Sequence, residues 1–192
     1  MKPIKTLLLV CIFAFLFNAC SSNKAQTKKY YRLTVPITSA TVDHTKLKPL
    51  TLVVKRPTAL SILGNRPIVA TKEDQSLIQL SQNFWLESPK VLLQDRIKQW
   101  AQHHWQAVSY QTPSTTTHQT LETRILAFEK NQNQAIAALE FFLYDNNKQL
   151  IFNQRFNAIE NITEDNYPAF VNAISLAIES IFTQFNHQLN QH

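Results

Sequence analysis

The chain has 192 residues, 44% of them hydrophobic, and carries a formal charge of +6 from 19 basic and 13 acidic side chains. That is enough chain for one domain with a proper core, and the charge balance is too mild to single out a polyanion. The lone glycine, Gly64, excludes a P-loop, a dinucleotide fingerprint and a glycine-flanked serine elbow, since each needs several glycines.

At the start, Lys2 and Lys5 precede an apolar run over residues 7–17, which Asn18, Ala19 and Cys20 close. Positive charge, apolar run and a small residue before a cut form the secretory-signal pattern. The run is shorter than the ~20 residues of a membrane-spanning helix. A cysteine at the cut marks a bacterial lipoprotein signal, so residues 1–19 are expected to be removed and Cys20 to be lipidated. Ser21 stands where an aspartate would retain the lipoprotein at the inner membrane, so the expected location is the periplasmic face of the outer membrane. Cys11 leaves with the signal and Cys20 is acylated, so no disulfide is expected in the mature chain. Residues 20–28 are polar and read as a lipidated tether ahead of one domain over residues 29–192.

Strand signals begin at Lys29. Tyr30, Tyr31, Leu33 and Val35 form an apolar run stopped by Pro36, and Thr38 to Pro49 reads as a loop. Leu50 to Lys55 alternates as a strand does. Gly64, Asn65, Arg66 and Pro67 make a turn-rich break before extended structure resumes at Pro67. Ser76 to Leu80 and Asn83 to Leu86 read as two short paired strands. Ser88 as N-cap and Pro89 at the first helical position open a helix of about 15 residues. Trp105 to Tyr110 reads as a strand and Gln111 to Gln119 as a loop.

Three strands follow as an antiparallel meander. Leu121, Thr123, Ile125 and Ala127 line one face of the first, Ala135 to Tyr144 is apolar on both faces apart from Glu140, and Asp145 to Lys148 turns the chain into the third. Last comes a helix that Asp165 can cap, with an apolar stripe from Tyr167 through Phe170, Ile174, Ile178, Phe182 and Phe185 to Leu189. The stripe suits packing on the sheet, or a partner or membrane surface. The fold class is therefore α/β of the α+β type: a mixed, largely antiparallel sheet with two main helices on one face, in a single domain.

No constellation for chemistry emerges. His103 and His104 are adjacent and point about 100° apart on a helix. The other four histidines lie in loops or near the C-terminus, so no metal site is expected. Glu122 and Glu140 fall on neighbouring strands, where Arg124 and Arg155 are the natural partners, and no nucleophile–base motif stands out. The expectation is a non-enzyme without a cofactor. Exposed aromatic and arginine side chains are then the candidate partner interface: Tyr30, Tyr31, Arg66 and Trp85. Trp85 can equally pack under the helix that follows it, and Arg66 can equally tie down its own loop.

The order of landmarks resembles the ABC-type transport auxiliary lipoproteins, the PqiC-like family. After the lipidated cysteine come Tyr30-Tyr31-Arg32-Leu33, the strand over residues 50–54, the segment Leu63-Gly64-Asn65-Arg66-Pro67-Ile68-Val69, and Phe84-Trp85-Leu86-Glu87 ahead of the first long helix. The meander and a terminal helix opening at Tyr167-Pro168-Ala169-Phe170-Val171 complete the order. The resemblance implies a non-catalytic, outer-membrane lipoprotein subunit of a system that moves phospholipids or related molecules between membranes. It implies an MCE-domain transport protein as partner, and a homo-oligomeric ring as one form of assembly. Nucleic acid is not an expected partner. The alternatives are a stand-alone lipoprotein that binds a hydrophobic ligand, with the terminal helix lining a groove, and an assembly chaperone of an outer-membrane protein.

Overall fold

The computed structural model describes residues 27–34, 47–114 and 117–191. The signal, Cys20, most of the tether and the expected loop over residues 38–46 lie outside the described residues.

The meander organises the domain. Strands β7 (His118–Asn131), β8 (Gln134–Tyr144) and β9 (Leu150–Asn161) pair antiparallel over their whole lengths. The β8–β9 turn is held by the Asp145 carboxylate, which accepts from the backbone N–H groups of Asn147 and Gln149 at 2.8 Å each. This is the Asx-type closure that an aspartate in first place favours.

The far edge of β7 is tiled by three short parallel partners. β2 (Lys48–Val54) takes its start, β3 (Thr58–Ala59) its middle and β4 (Pro67–Thr71) its end. Beyond β2 lies β6 (Trp105–Ser109), parallel to it; beyond β4 lies β5 (Leu77–Trp85), antiparallel; and beyond β5 lies β1 (Lys29–Tyr31), parallel. The sheet is thus mixed, with its two longest ladders antiparallel. It forks where β7 hands its edge from β2 to β4. A single helical turn, α1 (Ser61–Gly64), fills the fork after β3.

Several local expectations change. Residues 77–85 form one strand where two were expected. Ser81 and Gln82 are polar because they lie partly exposed within β5, and they do not mark a turn. A register shift between Ile125 and Ala127 rotates β7, so Phe128 and not Ala127 continues the buried row of Leu121, Thr123 and Ile125. Strand β2 starts at Lys48 and carries Pro49, which sits at the register shift against β6.

Two long helices, α2 (Pro89–Ala101) and α3 (Tyr167–Leu189), cover one face of the sheet. Ser88 stands at the N-cap of α2, but its hydroxyl makes no capping bond; its carbonyl accepts from Val91 and Leu92 instead. Asn166, one residue past the expected Asp165, caps α3 by accepting from the Ala169 N–H at 2.8 Å. The expected apolar stripe of α3 packs on β8 and β9, with Phe170, Ile174, Ile181 and Phe185 fully buried.

Phe185 is the hub of this layer. Its ring lies parallel to Phe141 at 4.2 Å between centroids and meets Trp100, Phe152 and Phe156 within 6 Å. Trp100 also reaches Phe182, and the buried Arg96 of α2 pairs with Glu179 of α3 while donating to Gln99. The two helices are therefore locked by an aromatic contact and an ion pair.

Candidate interface at the first strand

Strand β1 divides the four candidate side chains: Tyr30 lies beside Arg66 on one face, and Tyr31 turns with Trp85 to the other. Its register sets Tyr30 opposite Phe84 and Tyr31 opposite Trp85. Successive strand residues face opposite ways. Tyr31 and Trp85 therefore turn toward the helices, while Tyr30 and Phe84 turn to the uncovered face.

Trp85 is only 1% exposed. Its indole packs on Phe128 of β7 and Phe170 of α3, with centroids 5.1 and 5.9 Å away. It is a core residue, packed under the terminal helix and in the same buried cluster as Leu93 and Ile97 of the helix that follows it. What it offers to the surface is backbone: its N–H donates to the Arg66 carbonyl at 2.7 Å, and its carbonyl accepts from Arg66 Nε at 3.3 Å.

Tyr30 is 51% exposed. The Arg66 guanidinium lies 5.2 Å from its ring centroid and Phe84 lies 5.6 Å from it. Lys28 Nζ stands 5.5 Å from the Phe84 ring. Leu86, just past the end of β5 and also exposed, donates its N–H to the Tyr31 carbonyl and so extends the pairing one residue further. Arg66 ties its loop to β5 and sets its guanidinium beside an exposed ring. Phe84, Leu86 and Lys28 were missed in the sequence. The signal for them was the alternation over residues 83–86, which means nothing until the β1–β5 register is known.

Tyr31 lines the other side. Its hydroxyl donates to Asn83 Oδ1 at 3.3 Å, and its ring lies 6.1 Å from Tyr167. Burial, then the neighbouring Tyr167, pushes its phenol above the ordinary value; burial, then Asp165, does the same to Tyr167. A groove of about 330 Å³ runs here between β1 and the start of α3, lined by Tyr31, Arg32, Thr34, Leu86, Pro168 and Val171. Beyond β1 the chain is pinned to α3: the Thr34 N–H donates to Ser175 Oγ at 3.0 Å, and that buried hydroxyl donates to the Val171 carbonyl at 2.7 Å.

Elsewhere the titratable groups serve structure. Glu140, buried on the uncovered face of β8, accepts from Arg155 at 2.8 Å and pairs with Arg124 at 3.4 Å. His104 packs against Trp100 with the rings tilted, and burial, then His103 and Lys48, holds its imidazole below the ordinary value. Among the described residues no three His, Cys, Asp or Glu side chains gather to hold a metal ion. Among them, too, no helix is long and apolar enough to cross a membrane.

Comparison with known proteins agrees with this architecture. A solved structure of an uncharacterized protein superposes with a TM-score of 0.69 at 17% identity, covering 85% of this chain and 99% of its own. A DUF330 protein from Xanthomonas campestris gives a TM-score of 0.70 at 17% identity, covering 85% of this chain and 100% of its own. At such identity these likenesses establish the fold alone. No curated protein matches the sequence. The family described as ABC-type transport auxiliary lipoprotein component matches residues 31–185, from β1 to the hub residue Phe185, and the chain belongs to that family.

Proposed function

We propose that the protein is a non-catalytic lipoprotein subunit, anchored in the outer membrane through Cys20, that docks the periplasmic end of an MCE-domain transport assembly. The observation that carries this reading is the family match over residues 31–185, which spans the sheet and both long helices, behind a lipoprotein signal ending at Cys20. Assembly as a ring of identical subunits is part of the proposal. The buried ionisable groups support a structural role, since Glu140 and Arg96 are both engaged in ion pairs.

The reading as a solitary binder of a hydrophobic ligand needed α3 to line a groove. Most of its apolar stripe is spent on β8, β9 and the Trp100 cluster, and only its first turns, at Pro168 and Val171, line the groove beside β1.

The test is a mild-detergent pull-down of tagged protein from membranes, comparing wild type with Cys20→Ala. Co-elution of an MCE-domain protein with wild type, reduced in the variant, is the expected result. Lipid alone in the eluate would favour the solitary binder, and an outer-membrane protein alone would favour the chaperone.

A further inference from the structure

The surface around Tyr30 combines three features. Tyr30 and Leu86 are exposed at 51% and 41%, and Phe84 is half-buried beside them. Lys28 and Arg66 stand over the Phe84 and Tyr30 rings, and Arg32 is exposed next in the chain. The segments that build the surface, residues 27–34, 64–67 and 83–88, contain Lys28, Lys29, Arg32 and Arg66 against the single acid Glu87. Aromatic rings with flanking cations suit the headgroup layer of a bilayer, where tyrosine is enriched and anionic lipids attract lysine and arginine.

Covalent geometry adds a second argument, which rests on reading Cys20 as the lipid-bearing residue. Six residues lie between Cys20 and Thr27, and the seven steps of chain, at about 3.5 Å each, span at most about 25 Å. A domain of this length is about 40 Å across. The tether is therefore too short to let the opposite end of the domain face the membrane while β1 points away.

We infer that the surface formed by Lys28, Tyr30, Arg32, Arg66, Phe84 and Leu86 rests on an anionic phospholipid bilayer. The domain then sits with β1 toward the membrane, and β9, at the opposite edge of the sheet, stands away from it.

The test uses the processed, lipidated protein in vesicles of phosphatidylethanolamine and phosphatidylglycerol with brominated acyl chains. Tyr30→Trp and Leu150→Trp place reporters on exposed positions of β1 and β9; the three native tryptophans, Trp85 and Trp105 at 1% exposure and the half-buried Trp100, give a background measured on the unsubstituted protein and subtracted. Mass spectrometry of the Cys20 peptide accompanies each preparation. Strong quenching of Tyr30→Trp, little of Leu150→Trp, and loss of the Tyr30→Trp signal with Lys28→Gln/Arg32→Gln or in phosphatidylcholine vesicles are expected. Equal quenching of both reporters, or none at Tyr30→Trp with acyl chains verified, overturns the docking surface and leaves the reading of Cys20 intact. Absence of acyl mass overturns that reading and the tether argument with it. Shielding of Tyr30→Trp from iodide only after an MCE-domain protein is added would give the surface to that protein, and the inference would fall.

Discussion

Strand β8 shows two faces with different duties. Toward the helices it presents Ala135, Ala137, Leu139, Phe141 and Leu143, all at 2% exposure or less. Toward the other side it presents Ile136, Ala138, Phe142 and Tyr144, half-buried, around the buried carboxylate Glu140. Both rows are largely apolar, so hydrophobicity alone does not distinguish them. What differs is the partner. One face meets the complementary stripe of α3, while the other closes over its charge with Arg124 and Arg155, which stay 56% and 69% exposed at their side chains. The same division runs through β5, where Trp85 belongs to the core and Phe84, its neighbour, to the surface beside Tyr30. A covered face contributes packing; an uncovered face keeps charges and rings within reach of other molecules.

The sharpest way to break this comparison is at β5. Trp85→Ala should lower the free energy of unfolding by about 3–5 kcal/mol, as for large aromatic truncations in cores. Phe84→Ala should lower it by only about 1 kcal/mol, since less of that ring leaves water on folding. Urea unfolding of both variants measures the difference, and equal losses would erase the distinction between the faces. Next comes Glu140→Gln, expected to cost about 1–2 kcal/mol, because the charge-assisted bonds are lost but both arginines remain solvated. Glu140→Leu should be no worse, since a well-packed apolar side chain often replaces a buried ion without loss. A much larger cost in the same urea assay would mean that the arginines are held more tightly than their exposure implies.

The smallest effect lies at the rim of the helical layer. Tyr110 donates to Asp95 of α2 at 2.6 Å. Burial first, then the bond to Asp95 and its charge, push the phenol from the ordinary 10.0 up to about 12. The folded state therefore keeps this proton after the unfolded chain has released it. The stabilisation is complete below the unfolded value and is lost as pH rises through the folded one. Unfolding midpoints between pH 10 and 12 should fall further for wild type than for Tyr110→Phe, by a small margin because Tyr110 is 40% exposed. Parallel curves would remove the contribution.

Much of the fold was legible because it is written locally. The period of α3, the alternation of β9 and of β7 as far as Ile125, and the turn at Asp145 each depend on residues close in sequence, and each stands where it was expected. The pairing of Glu140 with Arg124 and Arg155 was legible too, since adjacent strands of a meander meet in a predictable order. The misplaced elements are those whose identity depends on distant chain. Ser81-Gln82 looks like a turn until β4 and β1 flank it, and Leu60 to Gly64 looks irregular until the fork in the sheet gives α1 a place.

The candidate interface was half legible. Tyr30 and Arg66 were named as separate candidates, and their separation of 36 positions could not show that Arg66 lies over Tyr30. Sequence alone determined the helical stripe, the meander and the exclusion of glycine-rich phosphate motifs, because these follow from composition and short-range periodicity. Only the tertiary structure decided that Trp85 is core, that Phe84 and Lys28 join Tyr30 at the surface, and that β7 divides its edge among three strands. Those outcomes depend on the parallel pairing of β1 with β5 and of β7 with β2, β3 and β4. Such long-range register is set by how the faces bury together, and no single segment of the chain encodes it.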